Sequence, residues 1–257
     1  MSIDPRAVIA ADARIAADVV IGPYAIIGPG VSIGPGCWIG PHAVIQGPTT
    51  MGAGNRVFQF ASIGDVPQDK KYAGEETRLE IGDRNTFREY VTVNRGTVTG
   101  NGATRIGSDN LLLAYSHVAH DCVLGNHIVL SNVVMLAGHV QIGDWVIMSG
   151  YAGAHQHCRI GAHAFIANNT AVLQDIPPYV LATGQPAEPR AVNLEGLKRR
   201  GFTEEQTRAI RNAYRVLYRS ELKLDEALAQ LREMAASQDC LQVMADFIEG
   251  STRGLAR

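Results

Sequence analysis

Seven of the eight histidines of this chain fall between His117 and His163: His117, His120, His127, His139, His155, His157 and His163. An imidazole ionises near neutral pH, so such a group could take a proton from a hydroxyl, ligate zinc with partners, or hydrogen-bond across an interface. His139 and His157 stand eighteen residues apart, and His120 lies one residue out of step with that spacing. Asp121 follows His120 directly; neighbours on a strand point to opposite faces, so Asp121 could orient His120 only if the chain bends between them. His117 and His120 are three apart without a helix to align them, so that spacing makes no chelate by itself. No serine or cysteine sits in an activating motif, and Cys122 has no activator beyond its histidine neighbours. A second feature is charge. Residues 190–220 hold eight basic side chains (Arg190, Lys198, Arg199, Arg200, Arg208, Arg211, Arg215, Arg219) against Glu195, Glu204 and Glu205, in a chain of net charge −2. Such a stretch reads either as a solvated face or as a docking patch for phosphates or an acidic partner.

What positions these residues is a period of six. Aliphatic residues recur at Ile9, Ile15, Ile21, Ile27, Ile33, Ile39, Ile45, Met51, Val57 and Ile63, and again at every sixth residue from Ile106 to Val172. Gly or Ala follows eight of the first ten, and Gly, Ala or Ser nine of the next twelve. A helix repeats at 3.6 and a flat strand at 2, so neither keeps these residues on one face. A coil with three short sides does. Eighteen residues make one coil, the aliphatic points inward, and the small residue beside it is expected to make the turn. About ten coils stacked ~4.8 Å apart reach ~50 Å, a mainly β, parallel β-helix. The period breaks near 64–78 and near 94–104, where polar inserts are expected to lie outside the coils. Pro177, Pro178 and the segment TGQPAEPR end the repeat, dividing the chain into a β-helix over 1–189 and a helical domain over 190–257. Thr203 with Gln206 reads as a capping box starting a helix to Ser220; Leu222–Ala236 and Leu241–Ile248 read as two more. This tail is expected to cap the open end of the β-helix.

Composition removes other classes. The 257 residues are 46% hydrophobic and 19% charged, which fits neither a disordered chain nor a strongly basic nucleic-acid binder. No apolar run is long enough to span a bilayer, and MSIDPRAVIA lacks a basic stretch followed by an apolar one, so a soluble, unprocessed, cytoplasmic protein is expected. Cys37, Cys122, Cys158 and Cys240 form no CxxC pair, which argues against a four-thiolate zinc.

The hexads, the segments His117-Val118-Ala119-His120-Asp121-Cys122 and Leu136-Ala137-Gly138-His139-Val140, the loop from Gln68 to Glu75, the stretch from Asn193 to Phe202 and the terminal Ser251-Thr252-Arg253-Gly254-Leu255 together resemble the UDP-N-acetylglucosamine acyltransferases that begin lipid A biosynthesis. The likeness covers essentially the whole chain. It implies a left-handed β-helix in a homotrimer that moves an R-3-hydroxyacyl group from acyl carrier protein to the glucosamine 3-hydroxyl of UDP-N-acetylglucosamine, in clefts between subunits. By that resemblance His120 is the general base, Asp121 supports it, and the Gly138 N–H holds the oxyanion. Gln68, Asp69, Lys71, His117, His139, His155 and Gln156 match residues around the acceptor and pantetheine. Asn193, Glu195, Arg199 and Arg200 match those near the nucleotide. No metal or cofactor is implied beyond the phosphopantetheine of the carrier protein. The chain departs from the family pattern at three places. Asn94 stands where a histidine is common and receives no role; His157 stands where an aromatic residue is frequent. Asn168 occupies a position where enzymes for longer acyl chains carry Gly, implying a preference below fourteen carbons. Competing readings are a related N-acyltransferase acting on a 3-amino sugar, a coenzyme-A-dependent acetyltransferase, a γ-carbonic-anhydrase-like zinc enzyme and a non-catalytic trimeric scaffold.

Overall fold

In the computed structural model, which describes residues 2–257, the hexad aliphatics from Ile21 to Ile63 and from Ile106 to Val172 are all buried inside a triangular prism. Ile9 and Ile15, in the first coil, are only half-buried. Ile81, Phe87 and Val93 carry the same inward register between the two inserts, a stretch outside the two runs read from the sequence. A second inward position lies two residues earlier in each hexad, as strand alternation requires. Cys37, Cys122 and Cys158 occupy it, buried, which accounts for their scattered spacing. Where Asn55, Asn85 and Asn110 occupy it, they form an internal ladder: Asn85 Nδ2–H donates to Asn55 Oδ1 at 3.0 Å, and the Asn110 N–H to Asn85 Oδ1 at 3.0 Å.

Three parallel sheets form the sides. The longest has ten parallel rungs, from Ser2–Ile3 to Val180–Thr183, closed by the antiparallel strand Glu188–Val192, which crosses residue 190. The coil is left-handed. Regular coils advance by eighteen residues, as in Val20 against Trp38. At the inserts Arg56 pairs with Thr86 and Thr86 with Leu111, so the extra residues leave the prism without disturbing the rungs. Both inserts leave from the same corner, one between strands Ser62–Asp65 and Arg78–Ile81, the other between Thr92–Asn94 and Ala103–Ile106. The following coil carries His120–Asp121 at that corner.

The turn chemistry differs from the sequence expectation. The residue in the left-handed region is not the small one beside the aliphatic but the third after it, and among the described residues seventeen such positions are not Gly, including Tyr24, His42, Phe60, Asp121, His139, His157 and His163. A left-handed L-residue costs ~1–2 kcal/mol. Each fully buried Ile or Leu returns ~1.5–3 kcal/mol, and a coil buries several, so packing wins. Large rings sit at these corners because the coil repeat brings them face to face: Tyr24, His42, Phe60, Tyr90 and Tyr115 form one column with centroids 4.8–5.4 Å apart. The small residue has another task. A Cβ on Gly22 would come within 2.8 Å of the Pro41 nitrogen, so it is close approach of the next coil that excludes a side chain there.

Four helices follow: α1 Leu194–Arg199, α2 Glu204–Tyr218, α3 Leu224–Ala235 and α4 Gln242–Glu249. The Thr203–Gln206 capping box is present, and α1, only six residues long, is too short to show a helical period in the sequence. The tail covers the last coil, with the Asp175 N–H donating to Gly254 O and the Ala256 N–H to Asp175 O, both at 3.0 Å, so this edge is not left open.

Candidate active site

His120 lies at the turn between strands His117–Val118 and Val123–Leu124. Asp121 takes a φ of 59°, which supplies the bend that puts the two adjacent side chains on one side of the chain. His120 Nδ1 and Asp121 Oδ2 are 2.9 Å apart, with 13% of the His120 side chain exposed and none of the Asp121 side chain. An ionised carboxylate only accepts, so Nδ1 carries the proton and Nε2 is the basic nitrogen. Burial alone would push the Asp121 carboxyl up. The Thr97 O–H (2.6 Å) and N–H (3.0 Å), with His120 and the nearby His139, outweigh it and hold Asp121 below the usual carboxylate range.

Gly138 lies against the His120 ring, where a Cβ would sit 2.5 Å from Cε1 and 2.7 Å from Nε2. Its N–H makes no hydrogen bond to any of the described residues, which leaves a free backbone donor beside the imidazole. His139 packs edge-on to His120 at 5.1 Å and stacks on His157 at 4.4 Å. Burial lowers the His139 pKa, against the pull of Asp121 and of Asp69, which the first insert brings near. Burial and then His120 lower that of His117, whose Nδ1 is 2.7 Å from Thr92 Oγ1. The Cys122 thiol is pushed up to about 12 by burial, which makes it inert as a nucleophile.

His120 Nδ1, Asp121 Oδ2 and His139 Nε2 are near enough to one another to hold a cation. Asp121 Oδ2, however, already accepts from the Thr97 hydroxyl and His120, so a metal there would have to displace both.

From His117 a groove of about 530 Å³ runs along the outer face of one sheet, over Met135, Gly153 and Ala171, with Tyr151, His155 and Gln185 on its walls. These four rungs span ~14 Å at the usual strand spacing. Gln156 is exposed beside His155, and Asn168 is exposed near the far end without lining the groove. Gln68 and Lys71 are exposed on the first insert, where Asp69 Oδ1 accepts from the Lys71 N–H at 2.9 Å.

The remaining sequence-selected residues lie elsewhere. Asn193 caps α1, its Oδ1 accepting from the Gly196 N–H and its Nδ2 donating to His163 O. Glu195 and Arg199 form an exposed ion pair. The Arg200 guanidinium lies 5.3 Å over Trp145, in the column of His127, Trp145 and His163, with Nη1 buried and unpartnered. That column occupies a different corner of the prism from His120, so one chain does not bring the two groups together.

The comparisons with known proteins converge. The acyl-(acyl-carrier-protein)–UDP-N-acetylglucosamine O-acyltransferase of Herminiimonas arsenicoxydans is 55% identical over 210 residues, 80% of each chain. The chain belongs to this family. A family profile described as UDP N-acetylglucosamine O-acyltransferase, domain 2, matches residues 175–256. Among solved structures of the family, the O-acyltransferase of Moraxella catarrhalis superposes with a TM-score of 0.98 at 44% identity over 100% of both chains. The Francisella novicida acyltransferase does so with a TM-score of 0.98 at 43% identity, over 99% of this chain and 94% of that one. Within this acyltransferase fold, three residues around His120 escaped the sequence reading: Thr92, Thr97 and Thr104. Their hydroxyls meet His117, the Asp121 carboxylate and the Asp121 N–H, respectively. Only their position at the edges of the second insert could have signalled them. Asn94 is buried and donates to Val66 O at 2.9 Å, tying down the first insert.

Proposed function

We propose that the protein transfers an R-3-hydroxyacyl chain from acyl carrier protein to the glucosamine 3-hydroxyl of UDP-N-acetylglucosamine, the first step of lipid A biosynthesis, with His120 as general base. The observation that carries this reading is the His120–Asp121 hydrogen bond of 2.9 Å beside the free N–H of Gly138. His120 Nε2 takes the proton of the 3-hydroxyl as its oxygen attacks the thioester carbonyl. The oxyanion forms against the Gly138 N–H, and Asp121 stabilises the imidazolium. Collapse breaks the C–S bond, and His120 returns the proton to the pantetheine sulfur. The thioester is already activated, so the step needs no metal, cofactor or covalent acyl-enzyme.

His117, His139, His155, Gln156, Gln68, Asp69 and Lys71 surround the acceptor and pantetheine, and the groove below His117 takes the acyl chain; Asn168, outside its lining but near its far end, limits how far the chain can run on. Asn193, Glu195, Arg199 and Arg200 hold the nucleotide; a guanidinium suits its diphosphate through paired hydrogen bonds. Because these groups lie on different corners of one prism, a complete site needs two chains. That supports a homotrimer with its sites between subunits. The basic stretch over 190–220 suits acidic acyl carrier protein, and the reaction belongs in the cytoplasm, where that carrier works.

The test is initial-rate transfer from 3-hydroxydecanoyl-acyl carrier protein to UDP-N-acetylglucosamine after extensive chelation, comparing wild type with His120→Ala. A folded mutant slower by about 100-fold or more, with the chelated wild type active, is expected. Loss of the chelated wild type's activity with recovery on Zn²⁺, or an undiminished mutant, would overturn the mechanism.

A further inference from the structure

The second insert does more than leave the prism. It replaces the corner of the coil preceding His120–Asp121, and both its ends are tied to Arg78 of the adjacent coil, the Gly96 N–H donating to Arg78 O at 3.1 Å and the Arg78 N–H to Gly102 O at 3.0 Å. The Gly100 and Gly102 N–H groups both return to Thr97 O, at 3.2 and 3.0 Å, so the segment is a tight self-bonded turn. Gly100 packs directly on Asp121, where a Cβ would overlap the carboxylate, and the Asp121 side chain is wholly buried beneath it. Thr97, itself 3% exposed, addresses both carboxylate oxygens, its N–H shared between Oδ1 at 3.0 Å and Oδ2 at 3.1 Å and its hydroxyl at 2.6 Å from Oδ2. The hydroxyl proton must point at the carboxylate, which has none to give. The Thr99 hydroxyl, 3.0 Å from Thr97 Oγ1, is therefore the donor in that pair. The result is a directed chain in which Thr99 donates to Thr97 and Thr97 to Asp121, while His120 donates to the same Oδ2 from the other side.

We propose that Thr97 is a positioning residue for acyl transfer, locking the Asp121 carboxylate in the one orientation that holds His120 Nδ1, and that the 94–104 insert serves to supply it. This rests on the reading of His120 as base. A carboxylate held by His120 alone could rotate about its Cβ–Cγ bond; the Thr97 hydroxyl on Oδ2 and the Thr97 N–H shared between Oδ1 at 3.0 Å and Oδ2 at 3.1 Å prevent that. The Thr97 N–H remains when the hydroxyl is removed, so the insert stays anchored and the hydroxyl can be tested by itself. Thr97 is buried with its hydroxyl turned to the carboxylate, so its effect belongs in turnover rather than in substrate affinity.

The experiment compares Thr97→Val and Thr97→Ser in the full chain, by initial rates with 3-hydroxydecanoyl-acyl carrier protein and UDP-N-acetylglucosamine. Thr97→Val is expected to lower kcat by about 10- to 100-fold, as loss of a charge-assisted hydrogen bond does, with KM for the sugar nucleotide within about 3-fold of wild type. Thr97→Ser, which restores the O–H, should recover most of that loss. A Thr97→Val protein within about 2-fold of the wild-type kcat, or a folded Thr97→Ser no better than Val, overturns the proposal. Should Thr97→Val not fold, Gly100→Ala presses on the same carboxylate from the turn that carries Thr97 and disturbs the orientation Thr97 holds; it is expected to lose at least about 10-fold in kcat, and a wild-type rate overturns the proposal equally. His120→Ala run in parallel separates the two ideas. If it retains its rate, the general-base reading has failed; if it is inactive while Thr97→Val is not, only this inference has.

Discussion

Replacing Gly138 by Ala tests the geometry at its tightest point. The glycine is not in the left-handed region, so its backbone admits an alanine without strain. The added Cβ would lie 2.5 Å from His120 Cε1, 2.7 Å from Nε2 and 3.2 Å from Nδ1. Ordinary contact begins near ~3.5 Å, so the ring must move by about 1 Å. It cannot do so freely, because Asp121 holds Nδ1 at 2.9 Å and His139 packs against the ring edge-on. A displacement of about 1 Å at a reacting group costs on the order of 100-fold in rate, and breaking the charge-assisted Nδ1 bond ~1.5–3 kcal/mol, or roughly 10- to 150-fold. The two are alternative outcomes of one strain rather than additive losses. Gly138→Ala should therefore lower kcat by about 100-fold, while the melting temperature falls only as far as a mild overpacking of ~1–3 kcal/mol requires. Gly150→Ala is the control, since its Cβ would meet only Asn132 O, at an ordinary 3.4 Å. The assay is initial-rate acyl transfer beside a thermal melt of each protein. A Gly138→Ala enzyme within about 3-fold of wild type would refute the argument, because His120 would then not depend on its observed position.

Two further outcomes follow from other parts of the molecule. The His163 pKa is lowered to about 4, chiefly by burial and then by Arg200, from an ordinary value of 6.5. Below pH 6.5 the unfolded chain therefore binds a proton that the fold refuses: stability falls as pH drops from 6.5 towards 4 and this contribution levels off below. His163→Phe keeps a ring at a corner that Phe60 already tolerates, so melts between pH 7 and 4 should be flatter for the mutant; parallel curves would show that His163 is not the source. At the groove, an acyl series up to fourteen carbons should be fastest below fourteen, and Asn168→Gly should move the optimum upward. Each methylene denied burial is worth ~0.8 kcal/mol, about 4-fold in rate, so fastest wild-type transfer of the fourteen-carbon chain would remove Asn168 from the site.

The period of six was legible because every sixth side chain has the same surroundings, the inside of a coil, and only aliphatics fit there. Ile81, Phe87 and Val93 obey the same rule but sit between two inserts, in a stretch too short to announce a period. The corners were misplaced for a physical reason. Glycine is the cheapest left-handed residue, so the sequence alone points to it for the turn, whereas here stacking along the prism edge offsets the strain of rings such as His42, Phe60 and His157. The same observation qualifies the histidine cluster. His127, His139, His157 and His163 are all corner residues stacked on neighbouring rings, so packing explains their abundance without chemistry. His120 is different: it precedes the corner residue instead of occupying it, and it alone faces a buried carboxylate within hydrogen-bond distance. Sequence reasoning left that pairing conditional on a bend, which the φ of Asp121 supplies. Thr97, twenty-four residues upstream in a polar insert, carried no such condition, since nothing in a sequence tells which coil an insert folds back upon. The separation of Arg200 from His120 was equally hidden. A resemblance places residues in one site by role, but the prism assigns them to different corners, and that separation is what supports our proposal that a second copy of the chain brings its own corner to complete the site.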